Sequence, residues 1–145
     1  MNYLFVCTGN TCRSPMAASL LPEHLGHAES AGLAAWPGEP AATEAITAVT
    51  RLGGRDLNQH RSRRVDSLDL TRFDWILTMT IRQRDQILSQ WPDLADRVRT
   101  VGEMAGENSL EIDDPFGGPQ PVYDQTASQL QRLITRFAGP ADKNF

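Results

Sequence analysis

The segment Cys7-Thr8-Gly9-Asn10-Thr11-Cys12-Arg13 constrains this chain more than any other stretch. Before it runs Asn2–Cys7, whose branched and aromatic residues suit a buried strand. After it stand Ser14, a good N-cap, and Pro15, a good first helical residue. A thiol at a strand end, a turn of backbone amides and a guanidinium at a helix start are thus brought onto one short loop, which suits attack on a phosphoryl group. A thiolate attacks phosphorus where a thiol does so poorly, and three devices here favour the thiolate. The amides of residues 8–13 can curl into an anion nest. The helix starting near Ser14 points its positive end at the same spot. Arg13 adds a charge that can grip two phosphoryl oxygens in a fork. Gly9 offers conformational freedom and close backbone approach, and Asn10 tolerates the left-handed conformation that a tight nest needs at some residue. Ser14 has a hydroxyl to donate to the sulfur. The plain alternative is a buried structural Cys7 beside a surface Arg13, and the neighbouring residues all serve the other reading.

The rest of the chain reads as strands alternating with helices. The first helix is expected from Ser14 to about Leu25, with Gly26 as its stop. A brief strand follows at 28–31, then a loop carrying Trp36-Pro37-Gly38 and a helix from Ala41 to about Leu52, ended by Gly53-Gly54. Phe73–Met79 is the clearest second strand, Arg82–Trp91 a helix stopped by Pro92, and Val98–Val101 a short strand. Residues 102–118 are expected to be irregular, and irregular stretches of that length are often functional. Pro121–Phe137 closes the chain as an amphipathic helix with Val122, Leu130, Leu133, Ile134 and Phe137 on its apolar face. This order predicts an α/β architecture, a parallel sheet covered on both faces. The 145 residues suggest one domain, spanning 1–138, with 139–145 as a flexible tail.

The totals bound the setting. A net charge of -4 gives no electrostatic reason to expect nucleic acid or an anionic membrane as partner. No apolar run reaches the roughly 20 residues that a membrane span needs. Met1–Val6 reads as a strand, not a signal peptide. Two cysteines are too few for a disulfide framework or a four-ligand metal site, so a reducing cytoplasm is the default and neither metal nor cofactor is expected.

The Cys-x5-Arg-Ser loop resembles that of the low-molecular-weight protein phosphatases, and the similarity runs along nearly the whole chain. It takes in Ser30-Ala31-Gly32, His60-Arg61-Ser62-Arg63, Thr78-Met79-Thr80 and Asp114-Pro115. The resemblance implies a three-layer fold with a four-stranded parallel sheet and a two-step transfer through a cysteinyl-phosphate on Cys7. It also implies a phosphate cradle of Thr8, Gly9, Asn10, Thr11 and Cys12 with Arg13, held by a hydrogen-bond network among Asn10, Ser14, Ser30 and His60. From the residues alone His60 is simply a lone histidine; the family match gives it a role in fixing the loop.

Cleavage of a phosphorus–oxygen or phosphorus–nitrogen bond is easier when the leaving atom is protonated, and one carboxylic acid at the mouth suffices. Asp113 and Asp114 both sit in the acidic stretch. The family motif is Asp-Pro, so Asp114 is the match, and Pro115 holds its backbone extended. Thr11 and the run Asp114-Pro115-Phe116-Gly117-Gly118 depart from the tyrosine-directed branch and are similar to the bacterial protein-arginine phosphatases. There a threonine rim suits a guanidinium better than an apolar ring, Asp114 can pair with guanidinium N–H groups, and Phe116 can stack on their plane. The expected partners are arginine-phosphorylated proteins, with tyrosine-phosphorylated ones as the alternative. Trp36 is either a pocket wall or a surface anchor. Cys12 is either a small buried residue or the thiol that captures oxidised Cys7 in a reversible disulfide. Two other readings weaken on inspection. An arsenate reductase relays electrons through further cysteines, and none follows Cys12. An idle anion-binding module has no need to keep both Cys7 and Asp114.

Overall fold

The computed structural model describes residues 1–137; the tail expected at 139–145 lies outside the described residues, as does 138. Four strands, β1 (Asn2–Cys7), β2 (His27–Gly32), β3 (Trp75–Thr78) and β4 (Val98–Thr100), form one sheet in the order β2-β1-β3-β4, and every pairing is parallel. Five α-helices, α1 (Arg13–Leu20), α2 (Thr43–Arg51), α3 (Ile81–Gln90), α4 (Val101–Met104) and α5 (Gln120–Ile134), cover its two faces. The fold is therefore the three-layer α/β arrangement with a four-stranded parallel sheet.

The period of two along β1 divides the core. Tyr3, Phe5 and Cys7 face the side carrying α1, α2, α4 and α5, where they pack with Met16, Val49, Leu130 and Phe137. Leu4 and Val6 face the α3 side, with Val65, Phe73, Ile76, Ile87 and Val98. Such double-sided burial is why β1 is apolar without alternation. After β2 the chain crosses β1 to begin β3 on its other side. The carboxyl end of β1 is thus a topological switch point, where open parallel sheets leave a crevice for ligands. Cys7 is the last residue of β1.

Several element boundaries differ from the sequence expectation. Helix α1 stops at Leu20, five residues early, because Pro22 forces Leu21 into an extended conformation (φ -64°, ψ 122°), and Glu23–Leu25 is a separate 3-10 turn. Cys12, not Ser14, is the N-cap of α1, and Ser14 lies inside the helix with its hydroxyl engaged elsewhere. Residues 102–118 are not wholly irregular: Thr100 and Glu103 form a capping box that starts α4. In α5 the buried position expected of Val122, which is 39% exposed, is taken by Tyr123.

Candidate active site

Between β1 and α1 the chain wraps residues 8–12 around the end of the strand. Cys7 is buried, its Sγ 2.9 Å from Ser14 Oγ and accepting the Asn10 backbone N–H at 3.3 Å. Asn10 is the left-handed residue of the turn, with φ 59°. Gly9 does not take that role. A Cβ built on it would meet only Thr11 Oγ1, at 3.8 Å, so its value is an open approach to the backbone rather than a special φ.

Asn10 is fully buried, and its four polar groups are all paired. Besides its N–H to sulfur, its Nδ2 donates to Ser14 Oγ at 2.9 Å and to Ser30 Oγ at 3.0 Å. Its Oδ1 accepts the Arg63 backbone N–H at 3.0 Å, and its carbonyl pairs with His60 Nε2 at 2.7 Å. A carbonyl only accepts, so Nε2 carries the hydrogen. Burial lowers the pKa of His60; the Asn10 bond opposes this, and the charges of Arg63 and Arg61 add to it. Because Asn10 donates to Ser14 Oγ, the serine's own hydrogen turns elsewhere, with Cys7 Sγ at 2.9 Å and the Ala31 carbonyl at 3.5 Å within its reach. The structure thus brings Asn10, Ser14, Ser30 and His60 into one network. Gly32 lets β2 pass close by: a Cβ there would fall 2.6 Å from the Thr8 carbonyl oxygen and 3.1 Å from Asn10 Cβ.

The opposite wall is the stretch between α4 and α5. Arg13, buried at the start of α1, donates from Nη1 to the Ile112 carbonyl at 2.9 Å, and its Nη2 lies 3.7 Å from Asp114 Oδ2. Asp114 Oδ1 accepts the Phe116 N–H at 3.1 Å, an Asx turn that orients the carboxylate. Residues 7–13, Asp114 and Phe116 line a cleft of about 220 Å³. Asp113 and Trp36 are outside that lining. Trp36 is 77% exposed, its loop pinned where Ser62 Oγ donates to the Trp36 carbonyl. Cys12 Sγ faces the Tyr123 hydroxyl at 3.6 Å and Thr11 Oγ1 at 3.7 Å. Burial raises the Cys12 pKa against the opposing pull of those two hydroxyls. No group of three or more His, Cys, Asp and Glu side chains converges among the described residues in a way that would hold a metal ion.

Residues 2–144 match the low-molecular-weight phosphotyrosine protein phosphatase family. The chain belongs to that family. It is 39% identical to a protein-arginine-phosphatase of Geobacillus stearothermophilus, over 93% of this chain and 92% of that protein. It is 36% identical to the low-molecular-weight protein-tyrosine-phosphatase PtpB of Staphylococcus epidermidis, over 94% of this chain and 96% of that one. Among solved structures it superposes with a TM-score of 0.84 on a YwlE arginine phosphatase, at 33% identity over 94% of this chain and 92% of the other. That structure is a cysteine-to-serine mutant with a phosphorylated active-site serine.

Around the loop of this low-molecular-weight phosphatase stand residues to which sequence reasoning gave no role, Arg63 among them although its segment was part of the resemblance. Arg63 supplies the N–H that fixes the Asn10 amide, and its Nε donates to the Ser30 carbonyl at 3.0 Å. Glu29 pairs with Arg63 and Arg72. Burial works to raise the Glu29 pKa, but those hydrogen bonds and charges outweigh it and lower it to about 2. Tyr123, from α5, lies against the loop with its hydroxyl 3.6 Å from Cys12 Sγ. Gln83 donates from Nε2 to Thr8 Oγ1 at 3.1 Å. Two of them left a readable signal: Arg63 in the His60-Arg61-Ser62-Arg63 segment, and Gln83 in the Thr80-x-x-Gln83 capping box that starts α3.

Proposed function

We propose that this chain hydrolyses phosphoarginine in proteins, in two steps through a cysteinyl-phosphate on Cys7, and that residues 1–138 form one phosphatase domain. The observation that carries this reading is the placement of Cys7 Sγ, under the Asn10 N–H and beside Ser14 Oγ, in the same cleft as Arg13 and Asp114. In the first step the Cys7 thiolate attacks phosphorus in line, the phosphorus–nitrogen bond breaks, and Asp114 gives its proton to the leaving guanidine nitrogen. In the second, water attacks the cysteinyl-phosphate, Asp114 takes the water's proton, and the thiolate leaves with release of phosphate. Arg13 and the amides of Thr8, Gly9, Asn10, Thr11 and Cys12 stabilise the transferring oxygens in both steps. Asn10, Ser14, Ser30 and His60 hold the loop in its reactive shape. The phosphorylated serine of the related arginine phosphatase supports the covalent route.

Arginine is favoured by Thr11 and by Phe116. Thr11 puts a hydroxyl on the rim, and Phe116, 75% exposed at the mouth, offers a face for a planar guanidinium. Tyrosine is the second reading, favoured by the family as a whole and by the PtpB relative. The test is kcat/KM on one peptide sequence carrying either phosphoarginine or phosphotyrosine, for the wild type and for Thr11→Ile. Preference for phosphoarginine is expected, with the ratio moving roughly ten- to a hundred-fold toward phosphotyrosine in the variant. A wild type that prefers phosphotyrosine refutes the arginine assignment.

Two further expectations belong to the same reading. Both cysteines are free thiols, in keeping with a reducing cytoplasm, and no described helix is long and apolar enough to cross a membrane. Peroxide should convert Cys7 to a sulfenic acid that Cys12 captures as a disulfide with loss of water, its Sγ turning away from Tyr123. Thiol reductant should then restore the wild type but not Cys12→Ser; equal recovery of both would exclude Cys12 as the resolving thiol.

A further inference from the structure

Gln83 is buried at the start of α3, and the direction of each of its hydrogen bonds is fixed by its partners. Its Oε1 accepts the backbone N–H groups of Met79 at 3.0 Å and Thr80 at 3.1 Å. Those groups can only donate, so the amide cannot be turned over, and Nε2 must face Thr8. Thr8 Oγ1 therefore accepts, at 3.1 Å, and its own hydrogen has to go elsewhere. No described protein group accepts it. Thr8 is exposed and lines the cleft, so the hydrogen is offered to whatever occupies the mouth.

We infer that Gln83 is a positioning residue that sets Thr8 as a hydrogen-bond donor to a main-chain carbonyl of the phosphoprotein substrate. This rests on the phosphatase reading above and adds a contact to the polypeptide itself. The chemistry narrows the acceptor. A guanidinium has only N–H groups to offer and cannot take a donor's hydrogen. The phosphoryl oxygens belong to the floor of the cleft, where Arg13 and the turn of amides converge, whereas Thr8 stands at the exposed rim. Of the acceptors a modified protein carries at that height, side-chain oxygens come and go with the sequence, whereas a peptide carbonyl flanks every phosphorylated residue. A rim set to donate would let the enzyme read the backbone around the phosphorylated residue without reading its sequence.

Gln83→Glu tests the polarity with almost no change of shape. One carboxylate oxygen keeps the two backbone N–H groups of the cap. The other replaces Nε2 with an acceptor and draws the Thr8 hydrogen away from the cleft. The measurement is kcat/KM for a phosphoarginine peptide, a phosphotyrosine peptide and p-nitrophenyl phosphate, on the wild type, Gln83→Glu, Thr8→Val and the double variant. Loss of one neutral hydrogen bond should lower the peptide-to-small-substrate ratio about three- to tenfold in each single variant. The double variant should fall no further than Thr8→Val, because Gln83 acts through that hydroxyl. An unchanged ratio, an equal loss on peptides and p-nitrophenyl phosphate, or a further fall in the double variant overturns the inference. If Gln83→Glu does not fold, the ratio for Thr8→Val alone decides. Wrong assignment of the arginine substrate appears separately, as absent turnover of the phosphoarginine peptide while the ratio is read on phosphotyrosine.

Discussion

In the loop of residues 8–12, Asn10 is wholly buried and has a partner for every polar group, whereas in the facing stretch of 105–119 Asp114 keeps 53% of its side chain in water and Phe116 is 75% exposed. The first loop is over-determined. Side chains from β2, α1 and the 60–63 segment all converge on one asparagine, and a buried network with no orphaned group has a single low-energy arrangement. The second is held at its near end, where Glu107 pairs with Arg132 and Arg136 and Glu111 Oε2 accepts the Ile81 N–H, but around Asp114 it is tied more sparsely: Arg13 holds the Ile112 carbonyl, the Ile112 N–H reaches the Met79 carbonyl, and Asp114 is oriented by its own turn. The contrast fits the two tasks proposed. The nucleophile and the oxyanion donors gain from fixed positions before substrate arrives. The acid must meet leaving groups of different shape and exchange a proton with water, so exposure serves it.

The proposals about the second loop predict the largest change. Asp114→Asn should lower turnover on phosphoarginine peptide by about 100-fold or more, a typical scale for losing general acid catalysis, with little change in stability. Asp113→Asn should stay close to wild type, and a larger loss there would mean that the acid has been placed one residue out of register. Asn10→Ala addresses the first loop. It leaves the Ser14 and Ser30 hydroxyls and the Arg63 N–H short of a partner and puts alanine at a φ of 59°, so urea unfolding should show a loss of about 3 kcal/mol. Phe116→Ala should stay within about 0.5 kcal/mol of wild type. Equal destabilisation by the two substitutions would erase the contrast.

Glu29 gives the smallest and most graded effect. Its pKa is depressed in the folded state, so the unfolded chain binds the proton more readily between about pH 4.5 and about pH 2. Its stabilising share is complete above that window and is lost as pH falls through it. Glu29→Gln should therefore flatten the acid limb of stability against pH and leave the slope above pH 5 unchanged. An unaltered acid limb would show that the Arg63 and Arg72 pairs do not brace the first loop.

What could be read in the sequence follows the same division. That Cys7, Arg13 and Asp114 line one cleft is legible because phosphoryl-transfer chemistry calls for those residue types and the spacing within each motif is short. The strands were legible from apolar runs, and the sheet's parallel order from their alternation with helices. Tyr123 is not, because it reaches the loop across 111 residues and carries no local pattern that announces it. Ser14 was read as an N-cap from local preference, but its hydroxyl is already committed to Cys7 and Asn10, so tertiary structure overrode propensity there. Pro22 and the Thr100-x-x-Glu103 capping box are visible in the sequence and account for the early end of α1 and for α4.

Trapping the phosphoenzyme tests the central claim most directly. p-Nitrophenolate leaves without a proton donor, so Asp114→Asn should still be phosphorylated by p-nitrophenyl phosphate, while attack by water on the intermediate slows for want of a base. Acid quenching followed by mass spectrometry of the peptide ending at Arg13 should then find one phosphoryl group, which fragmentation places on Cys7. A phosphoryl group on Cys12 or any other residue, or no phosphoenzyme while p-nitrophenol is still released, would contradict the covalent mechanism at Cys7.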